Sequence, residues 1–221
     1  MWADRQFGYL SDGLFTSLEE IASLGYNQDL NLNNPNSTLR PGDVKFLDTN
    51  DDKVIDWKDQ QVIGMGTIPR WMFGLSTNLK YRNLDLSALF QGAAGYYNNV
   101  SVPGGILSSI YYEQRWTEAN NDPNAFFPRL GSPSNNFRSS DHFYRKADYV
   151  RLKSLTVGYN IFQSCLTKLN IQQVRFYIAG TNLLTLSGLI KYNIDPESPS
   201  GMGGYYYPQQ RTITLGVNLS L

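Results

Sequence analysis

The chain has 221 residues, with 19 basic and 19 acidic side chains, so its formal charge is zero at neutral pH. That balance excludes the basic footprint of a nucleic-acid binder and a polybasic segment for an anionic lipid surface. Tyr (15), Phe (11) and Gly (19) are abundant, a mixture that favours strands joined by irregular polar loops over helical bundles. Cys165 is the only cysteine, which excludes an internal disulfide. No run of about 18 apolar residues is present, so no transmembrane helix is expected; strands of a membrane barrel carry only a weak alternating signal and stay open.

The start, Met1-Trp2-Ala3-Asp4-Arg5, lacks the apolar stretch of a signal peptide, so an envelope protein with this sequence is expected to be a fragment or a truncated product. Residues 1–16 read as the end of a strand and a loop. Ser17-Leu18-Glu19-Glu20 has capping-box spacing, in which the Ser hydroxyl covers a free amide and the Glu three residues on reciprocates. A short helix to about Leu24 follows. The Asn- and Pro-rich stretch 27–42 reads as loop.

Asp48 to Asp59 matches the spacing of a calcium loop. Oxygen ligands for Ca²⁺ would come from Asp48, Asn50, Asp52, the Val54 carbonyl, Asp56 and Asp59, at alternate positions that wrap hard oxygens around one point. Lys53 stands where a Gly would make the sharp turn, and Asp59 is shorter than the usual bidentate Glu. The competing reading is an Asx-rich turn held by its own side-chain to backbone hydrogen bonds. Five oxygen-bearing side chains in register favour a structural cation site. No flanking helix pair is visible that would make it a sensor.

Trp71 to Tyr81 alternates, with Trp71, Phe73, Leu75, Leu79 and Tyr81 on one face and Gly74, Ser76, Asn78 and Lys80 on the other. Arg82-Asn83 reads as a tight turn in which Asn tolerates positive φ. Leu84, Leu86, Ala88 and Phe90 then oppose Asp85, Ser87 and Gln91, completing an antiparallel hairpin. Each arm approaches the roughly 9–11 residues that a tilted strand needs to cross a bilayer. Residues 92–146 are rich in Gly, Ser, Asn, Pro and aromatics and show little periodicity. Strand character returns at 149–160 and at 174–184, with a short linker near 163–170 between them, and residues 187–208 form another loop. From Ile213 to Leu221 the alternation is unbroken: Ile213, Leu215, Val217, Leu219 and Leu221 against Thr214, Gly216, Asn218 and Ser220.

Connections therefore run long, short, long, short, long, as in outer-membrane barrels with short periplasmic turns and long outer loops. The fold class expected is all-β: the C-terminal strands of an antiparallel transmembrane β-barrel, with extracellular loops at 43–68, 92–146 and 187–208. Other chemistry is sparse. His142 is the only histidine and reads as a surface loop residue; Glu113, Asp141 and Asp148 show no acid–base pairing; Asp195-Pro196-Glu197 offers two nearby carboxylates but reads rather as a turn. Tyr96, Tyr97, Tyr111, Tyr112, Trp116, Phe126, Phe127 and Tyr205 to Tyr207 are placed to stack on sugars or a partner protein, or to pack the loops on each other. No enzyme is expected.

Several segments in order resemble the C-terminal part of the SusC/RagA family of TonB-linked outer-membrane transporters of Bacteroidetes. They are Thr16 to Ile21, Pro41 to Phe46 leading into the Asp/Asn loop, Asp85 to Gly95, Ala147 to Lys153 with Leu155 to Tyr159, Asn182-Leu183-Leu184, Asp195-Pro196-Glu197 and Arg211 to Gly216. Departures are Lys53 in the calcium-like loop and Leu221 where the family prefers a terminal aromatic. The resemblance implies a barrel of roughly 22 strands with a plug, of which this chain would supply the last strands and neither the plug nor the TonB-contacting segment. It further implies TonB-driven import of oligosaccharide or peptide, a SusD-like surface lipoprotein partner, contact with outer-membrane lipid, and no catalysis. A secreted, calcium-stabilised β-sandwich that binds carbohydrate is the alternative, and a glycoside hydrolase ranks last because no carboxylate pair stands on strand ends.

Overall fold

The computed structural model describes residues 4–30, 33–100, 109–131, 134–161, 171–199 and 209–220. Its largest element is a five-stranded antiparallel sheet of long strands: β5 (Trp71–Tyr81), β6 (Leu84–Ala94), β9 (Tyr149–Asn160), β10 (Gln173–Ser187) and β11 (Thr212–Ser220), in the order β11-β10-β9-β6-β5. Each strand pairs with its neighbour in sequence among the five, so the sheet is a meander. The linker near 163–170 lies outside the described residues.

Register shows why these residues make this sheet. Trp71 pairs with Ala94 and Tyr81 with Leu84 without interruption. Rows such as Leu79, Leu86, Val157, Ile178 and Leu215 then run across all five strands. Side chains of one row share a face, so the alternation in each strand sums to one apolar surface. That surface is bare: Trp71 is 72% exposed and Leu215 78%, with Phe73, Leu75, Leu84, Phe176, Ile178, Ile213 and Val217 also exposed. No described strand or helix lies over it. The opposite face carries Ser76, Asn78, Lys80, Asp85, Ser87, Gln91, Arg151, Thr156, Arg175, Tyr177, Thr214 and Asn218.

Two shifts in register re-phase the alternation. Opposite Leu89-Phe90 of β6, β9 spends an extra residue around Lys153, so Leu152 and Leu155 both reach the apolar face. In β10 the shift lies between Thr181 and Leu184, where Asn182 adopts φ 52° and donates from its side chain to the Gln210 carbonyl at 2.9 Å. Such bulges add a residue and re-aim side chains.

The hairpin turn of β5 and β6 and the adjoining ends of β9 and β10 sit at one end of the sheet. The Asn160 amide donates to the Asn83 carbonyl at 2.8 Å and the Asn83 side chain donates back to the Asn160 carbonyl at 2.6 Å. In the hairpin turn it is Arg82, at φ 54°, that takes the left-handed conformation, not Asn83 as the sequence suggested; the Asn83 amide is used across the turns instead.

At the other end the long connections fold into a body of their own. Short strands pair as β1 (Gln6–Gly8) with β4 (Gln61–Gly64), β2 (Ser11–Leu14) with β3 (Val44–Phe46), and β7 (Tyr97–Asn99) with β8 (Tyr144–Lys146); α1 is Leu18–Ala22 and α2 Ser109–Gln114. The described residues of 43–68 and 92–146, both read from sequence as loops, are thus ordered by tertiary packing. Tyr96, Val100, Tyr111, Phe127, Phe143 and Leu189 form one buried cluster, and Leu14, Val44, Phe46, Ile55 and Trp116 another. Most of the aromatics that sequence placed in outer loops therefore pack the loops together, while Tyr112 stays exposed. Tyr205 to Tyr207 lie outside the described residues. At α1 the Ser17 hydroxyl accepts from the Glu20 amide, as its spacing predicts, but the Glu20 carboxylate accepts from the Thr16 amide, one residue earlier than a capping box requires.

Both rims of the sheet, β5 and β11, expose a row of unpaired backbone groups. This chain alone in buffer without detergent is expected to associate through those rims and its apolar face. Sedimentation velocity checks it, and a monodisperse monomer would contradict the expectation.

Candidate cation loop and the polar face of the sheet

The Asp/Asn loop is held from outside and from within. Ile55 is fully buried in the second cluster, and the Asn27 amide and carbonyl bond the Lys53 carbonyl and the Ile55 amide, which fixes both sides of the turn. Inside it, Asp48 accepts from the Asp51 amide at 2.8 Å and the Lys53 amide at 2.9 Å, Asn50 from the Asp52 amide, and Asp52 from the Val54 amide. Asp59, fully buried, accepts from the Thr49 and Asp56 amides at 2.9 Å each. Successive Asx turns therefore shape the loop, the second reading open from sequence. Lys53 takes φ 65° and Asp51 φ 61°, the left-handed region in which Gly is favoured.

The first reading also finds geometry. Carboxylate oxygens of Asp48, Asp52 and Asp59 lie within 4.8 Å of one another. Two oxygens that each sit about 2.4 Å from one Ca²⁺ can be no further apart than about 4.8 Å, and the spacing of these three meets that limit. Asp56 is not among them: it caps the turn Trp57–Asp59 by accepting from the Lys58 amide at 2.8 Å. The Lys58 ammonium lies 3.1 Å from Asp52 and 3.6 Å from Asp56. Its hydrogen bond to Asp52 holds that carboxyl below the usual carboxylate range.

His142 is not the surface residue that sequence suggested. It is buried, stacked beside Phe126, with Nε2 2.8 Å from the Phe126 carbonyl oxygen. Burial pushes its pKa down to about 4, so the neutral ring is what packs. Asp141 accepts from the Ser11 amide and hydroxyl and Asp148 from the Gly95 amide, which ties the loop body together.

A second constellation, read from sequence only as a turn, joins the polar face to the segment after β10. Arg151 is 1% exposed. Its Nη2 donates to both oxygens of Asp195 at 2.7 Å, its Nη1 to Glu197 at 2.5 Å and its Nε to the Thr185 hydroxyl at 2.9 Å. Lys153 and the Tyr149 hydroxyl also donate to Glu197, at 3.0 and 2.7 Å. Burial raises the Glu197 carboxyl, but the donors outweigh it and the group sits below its usual range. Towards the other end, Arg175 pairs with Asp85 across Gly158 of the intervening strand. As alternate residues of β9, Arg151 and Lys153 lie on the same side as the turn, and the bulge re-phases the strand beyond them, which shows in the sequence as the three-residue spacing of Leu152 and Leu155.

Comparison with known proteins gives the same picture. No protein-family model matches the chain. It is 30% identical over 196 residues to TonB-dependent receptor P3 of Formosa agariphila, covering 81% of this chain and 19% of that protein. It is 27% identical over 188 residues to TonB-dependent receptor SusC of Bacteroides thetaiotaomicron, covering 81% of this chain and 18% of the relative. A solved structure of the RagAB peptide transporter superposes over 97% of this chain and 22% of its own, with a TM-score of 0.65 and 21% identity, a likeness of fold. The chain spans about a fifth of the length of the curated relatives it matches. Both of these relatives are named as receptors. The chain is homologous to a segment of the TonB-dependent receptors of the SusC kind, outer-membrane proteins of Bacteroidetes.

Proposed function

We propose that this chain forms the last strands of the barrel wall, together with extracellular loops 43–68, 92–146 and 187–208, in a TonB-driven importer of the outer membrane. The observation that carries this reading is the uncovered apolar face of the sheet, polar on its reverse, with every long connection leaving from one end. In that setting hydrocarbon covers the apolar face, the polar face looks into the lumen, and the loop body faces outward. The cargo class is oligosaccharide or peptide. A SusD-like surface lipoprotein is the partner expected at the outer loops, and the plug and the TonB contact belong to parts of the receptor beyond this chain. A β-sandwich would need a second sheet over the apolar face, and none is present among the described residues. The test is depth-dependent quenching by brominated lipid of a fluorophore attached at position 178 and, separately, at position 179, in the protein reconstituted in vesicles. Quenching at 178 only supports the reading; equal protection of both sites contradicts it.

The Asp/Asn loop serves this reading as a structural Ca²⁺ site, with Asp48, Asp52 and Asp59 holding the ion, Asn50 and the Val54 carbonyl beside them, and Asp56 shaping the turn. A bound cation would offset the mutual repulsion of the carboxylates and tie residues 48–59 to one point. Lys58 competes with it for Asp52. Replacing Lys58 by Met is therefore expected to strengthen Ca²⁺ binding, and Lys53→Gly to relieve roughly 1 kcal/mol of left-handed strain. Comparing thermal unfolding in Ca²⁺ and in chelator checks both: a chelator-sensitive Tm that rises further in Lys58→Met is the expected result, and identical curves would exclude the ion.

A further inference from the structure

The geometry points to the turn Asp195–Ser198 being a latch, docked by an ionic node on the polar face of the sheet and closing one side of a cavity there. The segment after β10 has two kinds of attachment. Its first part is held by apolar packing: Leu189 is fully buried, Tyr192 stacks on Phe126 at 3.8 Å between ring centres, and Ile194 packs on the same cluster. Asn193, at φ 56°, ends the short 3-10 turn Ile190–Tyr192 and marks the change of direction. Beyond it the attachments to the sheet and to β7 are polar. Arg151, Lys153 and Tyr149 hold the two carboxylates, the Tyr96 hydroxyl donates to the Pro196 carbonyl at 2.9 Å, and the Asn98 amide to the Ser198 carbonyl at 3.1 Å.

Two positive and two negative side chains meet in this node, so docking neutralises a buried guanidinium that would otherwise be left without a counter-charge. Asp195 and Glu197 keep 18% of their side-chain surface exposed, so solvent reaches the carboxylates that would have to leave. The turn forms one wall of a cavity of about 600 Å³ whose other walls include Met72, Gln91, Tyr96 and Tyr149. Undocking the turn about Asn193 widens that cavity without disturbing any strand pairing, because residues 195–198 take part in none. The node is a conformational device built into the wall, and it does not depend on where in the cell the sheet resides.

The test uses the full chain in detergent, with Cys165→Ser and a single reporter cysteine at Ser198 on the latch or at Gln91 in the cavity. Maleimide labelling of either reporter is expected to speed up about tenfold or more in Glu197→Gln and in Lys153→Met, the size expected from losing a hydrogen bond to a charged group. Amide exchange in the β9–β10 ladder should stay unchanged. The conservative Lys153→Arg, which keeps a cation opposite Glu197, should leave labelling near its original rate, and it provides a reading even where another variant folds poorly. Unchanged labelling in both variants, or loosening of the sheet to the same degree as the turn, would overturn the latch.

Discussion

Arginine placed at Leu215 should destabilise the folded sheet in lipid by about 2–4 kcal/mol, the cost of a cation at the hydrocarbon midplane of a barrel wall. The same substitution one residue earlier, at Thr214, should change stability by less than about 1 kcal/mol. Adjacent residues of a strand face opposite sides, so the pair compares the two faces at nearly one depth. Leu215 sits mid-strand, paired with Ile178 and 78% exposed in the isolated chain. Sign discriminates more sharply than size. If water covered that face, replacing an exposed Leu by Arg would be neutral or would improve solubility. Equilibrium unfolding of both variants in vesicles is the measurement, and equal effects at 214 and 215 would defeat the lipid-facing reading.

Much of this sheet was legible because the information is local. Strands 71–81 and 149–160 come out of the sequence with the bounds the structure gives, the first because a period of two over ten residues needs no knowledge of partners, the second because it is rich in strand-forming residues in spite of its bulge. Strand ends were less legible. β6 runs on to Ala94 because Gly92 and Ala93 still find partners in Val150 and Tyr149, and β10 runs on to Ser187 through a bulge that breaks the alternation the eye follows. The loop body was illegible for a different reason. Its order comes from contacts such as Leu14 with Pro123 and Asp43 with Arg129, pairs far apart in sequence that no window can see. His142 follows the same rule: a lone polar residue among Ser and Asp looks exposed, and only the fold brings Phe126, 16 residues away, against its ring.

The candidate sites divide in the same way. The Asp/Asn loop lies within twelve consecutive residues, so its spacing announced it, Lys53 included. Lys58 went unnoticed because it carries the wrong charge for a ligand, yet it is the side chain that modulates Asp52. The node at Arg151 joins β9 to residues 44 and 46 positions further on, and the sequence offered only an Asp-Pro-Glu turn with no sign of what it touches.

Gly158 carries the second large expectation. In most strands a glycine is a weak point, and replacing it with Val would gain up to about 1 kcal/mol of strand preference. Here the sign should reverse. A Cβ at Gly158 would lie 2.5 Å from Arg175 Nη2 and 2.6 Å from Asp85 Oδ1, inside the ion pair that crosses β9 from β10 to β6. Both side chains reach over the space that Gly158 leaves free, and the Asn160 side chain adds a donor, its Nδ2, to Asp85. Val would drive the pair apart, so Gly158→Val is expected to lose about 1–3 kcal/mol, the range for overpacking a filled site. The loss is kept at that level because both partners are about a quarter exposed and water can solvate the separated charges. Removing the obstruction should rescue it: with Asp85→Ala and Arg175→Ala together, Val at 158 should be tolerated or mildly stabilising. Denaturant midpoints of the parent and the three variants close the cycle. If Val costs as much without the pair as with it, the glycine is required by the backbone of β9 itself, and the ion pair is not what selects it.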